Sequence, residues 1–506
     1  MTTIQIFDGN NTIGGNKIYI EENGEEFFLD FGMNFKKYSE FYQEYISPRG
    51  IRGIYDLFQL NLIPKLNIYR KDIIPSDFDV STFPTLDIKA VLLTHAHMDH
   101  FGNIGLLNPE YPIVTSPSTL ALLKGILDTS SVKIGTDVAY FSIKKPKEDG
   151  TVLESDKYNL IGRDFICTES YPDPLSDFME ISAKSRKTLK GGNLTLLNEF
   201  SSNFEIKAFE VDHSIYGATA YILSGNNTIA YTGDFRLHGK KGEKSEKFIN
   251  EAKNASILII EGTRAAREDI HESEDIVYEN CVKTAEDSKG LVVADFSARN
   301  FERLEAFKKI AKEVGRTLVI TAKDAYLLNA LKKADGIDRI KDTLIYKELK
   351  TSTRYWEDKI LAEDIEINYL DPSSISKDPN SYLLCFSLFD IKNLLDIKLK
   401  GGTYIYSSSE AFEEESEFDY LRLNNWLKFF EFKIIGFNII EEDARIKPQF
   451  IKGYHASGHV SKSEIINVID IIDPDIVIPV HTDHPEWFSA NFDNAVLLKD
   501  YEIYTV

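Results

Sequence analysis

An α/β protein made of two unlike parts is what this chain predicts, on three observations. Apolar strand-like runs separated by polar segments dominate up to about Thr263. Beyond that point, helix-length segments alternate with short buried strands, which implies a parallel sheet with helices on its faces. A chain of 506 residues is also too long for one hydrophobic core and comfortable for two.

The elements follow in order. Lys17 to Glu21 and Phe27 to Phe31 read as strands, and a polar, helix-prone stretch runs from there through Tyr45. Residues 51–85 read as an irregular insert rich in Ile, Leu and Pro. Val91-Leu92-Leu93-Thr94 is a buried strand. Residues 101–212 exceed what connects two core elements and are expected to cap one side of a cleft. Glu205 to Val211, Thr228 to Thr232 and Ile257 to Ile260 are further strands. After them come a helix over 272–288, a strand at Leu291 to Ala294, a helix from about Asn300 and a strand at Leu318 to Ile320. Thr403 to Tyr406 and Ile476 to Val480 close the set.

The ends of these strands carry the chemistry. His95-Ala96-His97-Met98-Asp99-His100 leaves the strand at Val91, and imidazole and carboxylate are the usual ligands of Zn²⁺ and its neighbours. In a loop the alternation lets His95 and His97 face one ion while Asp99 and His100 reach a second. Three more strands end on such a group: Asp212-His213, Gly233-Asp234 and His481. A lone strand-end His or Asp is ordinarily a loop residue with no function. Their accumulation in a chain with only 10 His is not explained that way. Asp30, ending the strand Phe27-Phe28-Leu29, reads as a carboxylate that orients a ligand histidine by hydrogen bonding.

This order, Asp, His-x-His-x-Asp-His, His, Asp and a final His, resembles the metallo-β-lactamase superfamily. Ile13-Gly14-Gly15-Asn16 and Leu29-Asp30-Phe31-Gly32 are similar to that family's first strands. The resemblance implies an αββα sandwich holding two Zn²⁺, with Mn²⁺ or Mg²⁺ as alternatives. His95, His97 and His213 would hold one ion, Asp99, His100 and His481 the other, and Asp234 would bridge. Almost half of the chain separates Asp234 from His481, enough for an extra domain. Within it, Ile257-Leu258-Ile259-Ile260-Glu261 resembles motif A of the nucleic-acid-processing β-CASP group. Gly453-Tyr454-His455-Ala456-Ser457-Gly458-His459 resembles its motif B, and the His-x-Ser-Gly-His form is most similar to the ribonuclease J branch.

That resemblance implies a metallo-β-lactamase domain over 1–262, an inserted β-CASP domain over 263–448, and a return segment over 449–506. Asp99, Glu261 and His459 would be catalytic, with His459 the general acid held by Glu261 and His455 a donor to phosphate. Ser407 and Ser409 stand where the branch has a phosphate-holding Ser-Gly-Ser-Gln-Gly loop, but here Gly and Gln are missing and Glu410 is added. Helix capping is an equal reading for both serines. Ser297-Ala298-Arg299-Asn300 either places Arg299 at the cleft or simply starts a helix. His484 follows His481 closely, and His481 is preferred as the ligand because it ends the strand directly.

The implied activity is metal-dependent phosphodiester hydrolysis, with single-stranded RNA as substrate, cut by 5′-3′ exonuclease action, endonuclease action or both. A DNA 5′-exonuclease and a small-molecule metallo-hydrolase are the alternatives, and a non-catalytic scaffold is disfavoured because every motif residue is present. A homodimer is compatible with the resemblance, although residues 482–506 leave no room for the C-terminal domain that assists dimerisation in the bacterial branch. Composition fits a globular cytoplasmic chain. It is 43% hydrophobic and 27% charged, with no membrane-length apolar run and no signal-peptide pattern. Cys167, Cys281 and Cys385 are dispersed, as suits a reducing compartment. A formal charge of −22 argues against generic nucleic-acid binding. Of the local basic clusters, Lys144-Lys145-Pro146-Lys147 and Lys184 to Lys190 read as solvated surface.

Overall fold

The computed structural model describes all residues except 44, 132, 268–271, 298, 409–416 and 443–444, and the backbone alone at 417–418, 441–442 and 445–446. Two sheets lie face to face. The larger has eight strands in the order Leu194–Leu196, Phe165–Cys167, Ile113–Thr115, Ile88–Leu92, Glu25–Leu29, Lys17–Glu22, Thr2–Asp8 and Ile503–Thr505. The smaller has five: Glu205–Glu210, Thr219–Ser224, Thr228–Tyr231, Ile257–Glu261 and Ile476–Val480. Period-2 alternation sends Ile4, Ile18, Phe27 and Leu92 from one sheet against Tyr221, Ile229, Ile257 and Ile478 of the other in a single apolar layer.

Between Ile257–Glu261 and its parallel neighbour Ile476–Val480 the chain leaves to build a third sheet. Its seven strands run in the order Tyr369–Leu370, Leu344–Tyr346, Thr317–Ile320, Tyr382–Cys385, Val292–Asp295, Thr403–Tyr406 and Lys433–Ile435. Every pairing in it is parallel. Strands buried on both faces read as continuous apolar runs, as Val292-Val293-Ala294 does, because helices cover both sides. The expected helices are present as Glu274–Asp287, capped by Ser273, and Phe301–Glu313, capped by Asn300.

One apolar core runs from the outer face of the eight-stranded sheet (Phe28, Leu93, Ile113) through helix Pro117–Thr129 to the inserted sheet (Val292, Ala294, Leu318). Helix Pro117–Thr129 lies along helix Ala322–Asp335, where Gly125 allows close approach to Leu327 and Ala330. Beside it, the Asp128 carboxylate accepts from Lys124, Tyr140 and Tyr326, each at 2.7 Å.

The stretch 101–212 is therefore more than a cap, contrary to expectation. It supplies three strands of the eight-stranded sheet and the helix that meets the insert. Residues 51–85 contain a short α-helix, Tyr55–Gln59, and a 3₁₀ helix, Lys71–Ile73, and bury Ile54, Leu57, Phe58, Leu62 and Ile63 in the main core. Both stretches lack clean periodicity, so their sequences hid this role.

Candidate metal centre and cleft

The C-terminal ends of the central strands of both sheets open at one mouth, where ligands gather in folds of this kind. Leu29 pairs with Leu92, which brings Asp30 beside Thr94 and the histidines that follow. Glycine makes the tight turn possible. A Cβ on Gly32 would stand 1.6 Å from the Asp99 carbonyl oxygen, and Gly14, at φ +81°, packs against the Asp99 side chain. The Gly15 and Phe31 amides then donate to the Asp99 and His100 carbonyls, both at 3.0 Å. In the second sheet, Glu261 pairs with Val480, so Glu261 and His481 emerge side by side. His481 adopts φ +52°, an uncommon conformation for a histidine and one found at functional sites.

Among the described residues, three groups have donor atoms close enough to hold a cation: His95, His97 and His213; Asp99, His100, Asp234 and His481; and Asp234, Glu261 and His459. In the first, His97 Nδ1 lies 3.0 Å from His95 Nε2 and 3.2 Å from His213 Nε2. Donor atoms around a tetrahedral Zn²⁺ at about 2.0–2.1 Å stand about 3.3 Å apart, so this spacing fits such an ion. The far nitrogens are tied down in the way that fixes a ligand tautomer: His213 Nδ1 donates to the Gly458 carbonyl at 2.6 Å, and His95 Nδ1 lies 3.0 Å from Thr94 Oγ1.

In the second group, His481 Nε2 lies 3.7 Å from Asp99 Oδ2, and His100 Nε2 lies 3.0 Å from Asp234 Oδ2. Asp234 Oδ2 is also 3.8 Å from His95 Nε2, so this carboxylate touches both groups. Asp234 Oδ1 and His481 Nδ1 are buried with no hydrogen-bond partner, 3.5 Å apart. Such orphaned groups are costly unless a cation engages them. Asp30, fully buried, accepts from Thr94, from Tyr231 OH at 2.7 Å and from His100 Nδ1 at 2.7 Å.

The electrostatics match. Burial, the neighbouring histidines and, at His97, the Arg299 charge hold His95 and His97 well below the ordinary histidine range. Burial, with His459, pushes His213 down to about 3. These rings present lone pairs. Burial opposes charge on His100, yet Asp234, Asp30 and Asp99 outweigh it and raise that ring well above its usual value. Burial likewise opposes charge on Asp234, but His100 and His481 hold its carboxyl well below the carboxylate range. The carboxylates of the second group thus favour a positive charge beside them.

His459 stands at the edge of this centre. Its Nδ1 donates to both Glu261 oxygens, at 2.9 and 3.0 Å, and its side chain remains 23% exposed on the cleft side. Glu261 is itself fixed by the Phe235 amide at 3.1 Å and by Thr263 Oγ1 at 2.6 Å. Burial works against a charged His459, but Glu261, with Asp234 and Asp99, raises it above the histidine norm.

Two expected phosphate contacts are corrected. Both ring nitrogens of His455 lie 2.7 Å from backbone carbonyls, of Ser408 and Gly436, leaving neither for phosphate. Ser407 is fully buried, donates to the Tyr454 carbonyl and accepts from Arg303, so it does not cap a helix either. Ser409 and Glu410 lie outside the described residues. His484 is exposed beside Glu486, away from the ligand groups. Sequence reasoning missed Thr94, Tyr231 and Thr263, which orient site residues. Their proximity along the chain to His95, Asp234 and Glu261 was the only available signal.

Residues 82–294 match the family model described as the metallo-beta-lactamase superfamily, and residues 443–490 match the Zn-dependent metallo-hydrolase RNA specificity domain. Curated relatives include the ribonuclease J of Mycoplasma genitalium, 21% identical across 95% of this chain and 68% of that protein. The ribonuclease J of Pyrococcus abyssi is 21% identical across 95% of this chain and 90% of its own length. That of Methanocaldococcus jannaschii is 22% identical across 94% and 90%. A solved protein of unknown function from Enterococcus faecalis shares the fold over 100% of both chains, with a TM-score of 0.69 and 22% identity.

Proposed function

We infer, from the premise that this chain belongs to the metallo-β-lactamase superfamily, that it is a metal-dependent ribonuclease whose cleft binds single-stranded RNA. The observation that carries the reading is the Glu261–His459 pair. It is an acid poised beside the groups around His95 and His481, and with Asp234 it forms the third set of close donor atoms, which the reading assigns to proton transfer and not to a cation.

His95, His97 and His213 would hold one cation, and Asp99, His100 and His481 a second, with Asp234 shared. Cations held there would supply positive charge for the phosphate oxygens and would acidify a water for attack on phosphorus. The protein's own residues do the rest. Asp99, at the open side of the group, orients the attacking water. His459 gives its Nε2 proton to the ribose oxygen as the phosphorus–oxygen bond breaks, and Glu261 holds the ring through Nδ1 and stabilises its charged form. Asp30 fixes His100 from behind.

The domain bounds that follow are a metallo-β-lactamase unit over 1–262 and 449–506 with 263–448 as the insert. Among the described residues no helix is long and apolar enough to cross a membrane. The test is digestion of 5′-labelled mono- and triphosphorylated RNA and matched DNA, with and without chelator. RNA should be cut and chelator should stop the reaction. Cleavage that survives complete metal removal, or intact RNA under all conditions, would overturn the reading.

A further inference from the structure

Beneath the cleft lies a buried ionic network that the proposed reaction does not use. Arg236 is 0% exposed. Its Nε donates to Asp212 Oδ1 at 2.9 Å, and its Nη1 to Glu274 Oε1 at 2.9 Å and the Ser457 carbonyl at 3.3 Å. Nη2 sits 3.2 Å from Glu302 Oε1, in ionic contact without hydrogen-bond alignment. The Arg236 amide also donates to the Asp212 carbonyl at 2.8 Å. Asp212 immediately precedes His213, Arg236 is separated from Asp234 by Phe235 alone, and Ser457 lies just before Gly458 and His459. One guanidinium therefore ties together the loops that carry three site residues.

The other end of the network belongs to the insert. Glu274 opens helix Glu274–Asp287, and Glu302 lies in helix Phe301–Glu313. Glu274 Oε2 accepts from Arg303 Nε at 3.1 Å and from Nη2 at 2.8 Å. Arg303 Nη1 reaches both the carbonyl and the hydroxyl of Ser407, at the C-terminal end of strand Thr403–Tyr406. Burial opposes charge on Glu274, but Arg303 and Arg236 outweigh it and keep its carboxyl below the usual range. Buried ion pairs of this kind are rarely better for stability than apolar side chains of the same shape, and one of their uses is to fix a particular geometry.

We propose that Arg236, Glu274 and Arg303 are positioning residues that hold the insert's strand-end loop at Ser407 in register with the loops bearing His213, Asp234 and His459. A strand bound by the insert then delivers its scissile phosphate to the centre. The proposal rests on the RNA-cleaving reading. It concerns how substrate is aligned and leaves the ligand set untouched.

The test compares wild type with Glu274→Gln, measuring metal per chain, hydrolysis of bis(p-nitrophenyl) phosphate, and kcat and KM on RNA. Misregister should lower kcat on RNA by about 10- to 100-fold. KM, metal content and the small-diester rate should stay within about threefold, because binding and the centre are intact. Should Glu274→Gln fail to fold, Arg303→Lys keeps the charge, removes the fork, and should give the same split at smaller size. Equal losses on RNA and the small diester, or none on RNA, overturn the positioning role alone. Wild type that leaves RNA intact overturns the ribonuclease reading and the proposal with it.

Discussion

Replacing His459 by alanine separates acid catalysis from cation binding. The imidazole is held by both oxygens of Glu261 at 2.9 and 3.0 Å, so it is oriented and biased towards its charged form. Proton transfer from such a group contributes about 10²- to 10⁴-fold, which is about 3–5 kcal/mol of barrier. The neighbouring Glu261→Gln keeps the shape but weakens a charge-assisted hydrogen bond. At about 1.5–3 kcal/mol it should cost about 10- to 100-fold, less than loss of the ring itself. The assay is kcat on RNA and on a nitrophenyl phosphodiester, with metal measured on the same samples. His459→Ala should retain metal, and its loss should shrink on the nitrophenyl substrate, whose leaving group needs no proton. Equal impairment on both substrates, or loss of metal, would refute the acid role and leave His459 a ligand or a structural residue.

His97→Ala and Asp99→Ala should each lose bound metal, seen by elemental analysis, and with it hydrolysis of both substrates. Gly32→Ala should destabilise the fold and lower metal content, since its Cβ would overlap the Asp99 carbonyl oxygen, a backbone atom that cannot swing aside; thermal melts and metal analysis check this. Burial pushes Asp324 up to about 6, against Thr321, which pulls it down. A folded value above the ordinary carboxylate value means its contribution to stability is complete below about pH 4 and is lost as pH rises through about 6. Asp324→Asn should therefore flatten the fall in melting temperature between those limits, and an unchanged profile would show that the carboxyl is ordinary. Finally, KM for RNA should depend weakly on salt, with a slope reflecting only a few phosphate contacts at about 0.7 per contact. A steep slope would reveal a basic track.

The candidate ligand residues could be picked out in the sequence because strand ends bring such residues to one kind of place. A metal at a sheet mouth takes its donors from strand ends, and His95, His213, Asp234 and His481 each stand just after a strand that the sequence displays, as an apolar run or, before His213, as an alternating one. The alternation of helices with apolar strands showed the parallel insert for a similar reason, since strands covered on both faces must be apolar throughout. What stayed hidden depends on register or on distance along the chain. Asp30 reaches Thr94 only because Leu29 pairs with Leu92, and Tyr231 reaches Asp30 across two sheets. Arg236 and Glu274 look like ordinary surface charges in the sequence. The same holds for the part of 101–212 that joins the eight-stranded sheet, whose strands there are three residues long and too short to show a period.

The acidity of the chain is best understood by asking where its cations sit. Lys17 pairs with Asp8, Arg70 with Asp72 and Asp137, and Lys124 with Asp128, all with the basic side chain at most 2% exposed. Arg163 donates to the carbonyls of Gly105 and Leu107, and Arg236 and Arg303 form the network under the cleft. Of the two clusters read as surface, Lys145 pairs with Asp156. Lys184 instead donates to the carbonyls of Leu127, Asp128 and Ser130 at the end of helix Pro117–Thr129. Apart from the exposed Lys145, these cations serve the fold, and a formal charge of −22 makes the body of the protein repel a polyanion at long range. On the proposed reading, attraction would be concentrated where the candidate ligand groups hold metal charge at one point of the cleft. A strand held that way is gripped mainly at its reacting phosphate, and alignment of the rest falls to the insert. This is why the register between Ser407 and the loops of His213, Asp234 and His459 should govern turnover more than affinity.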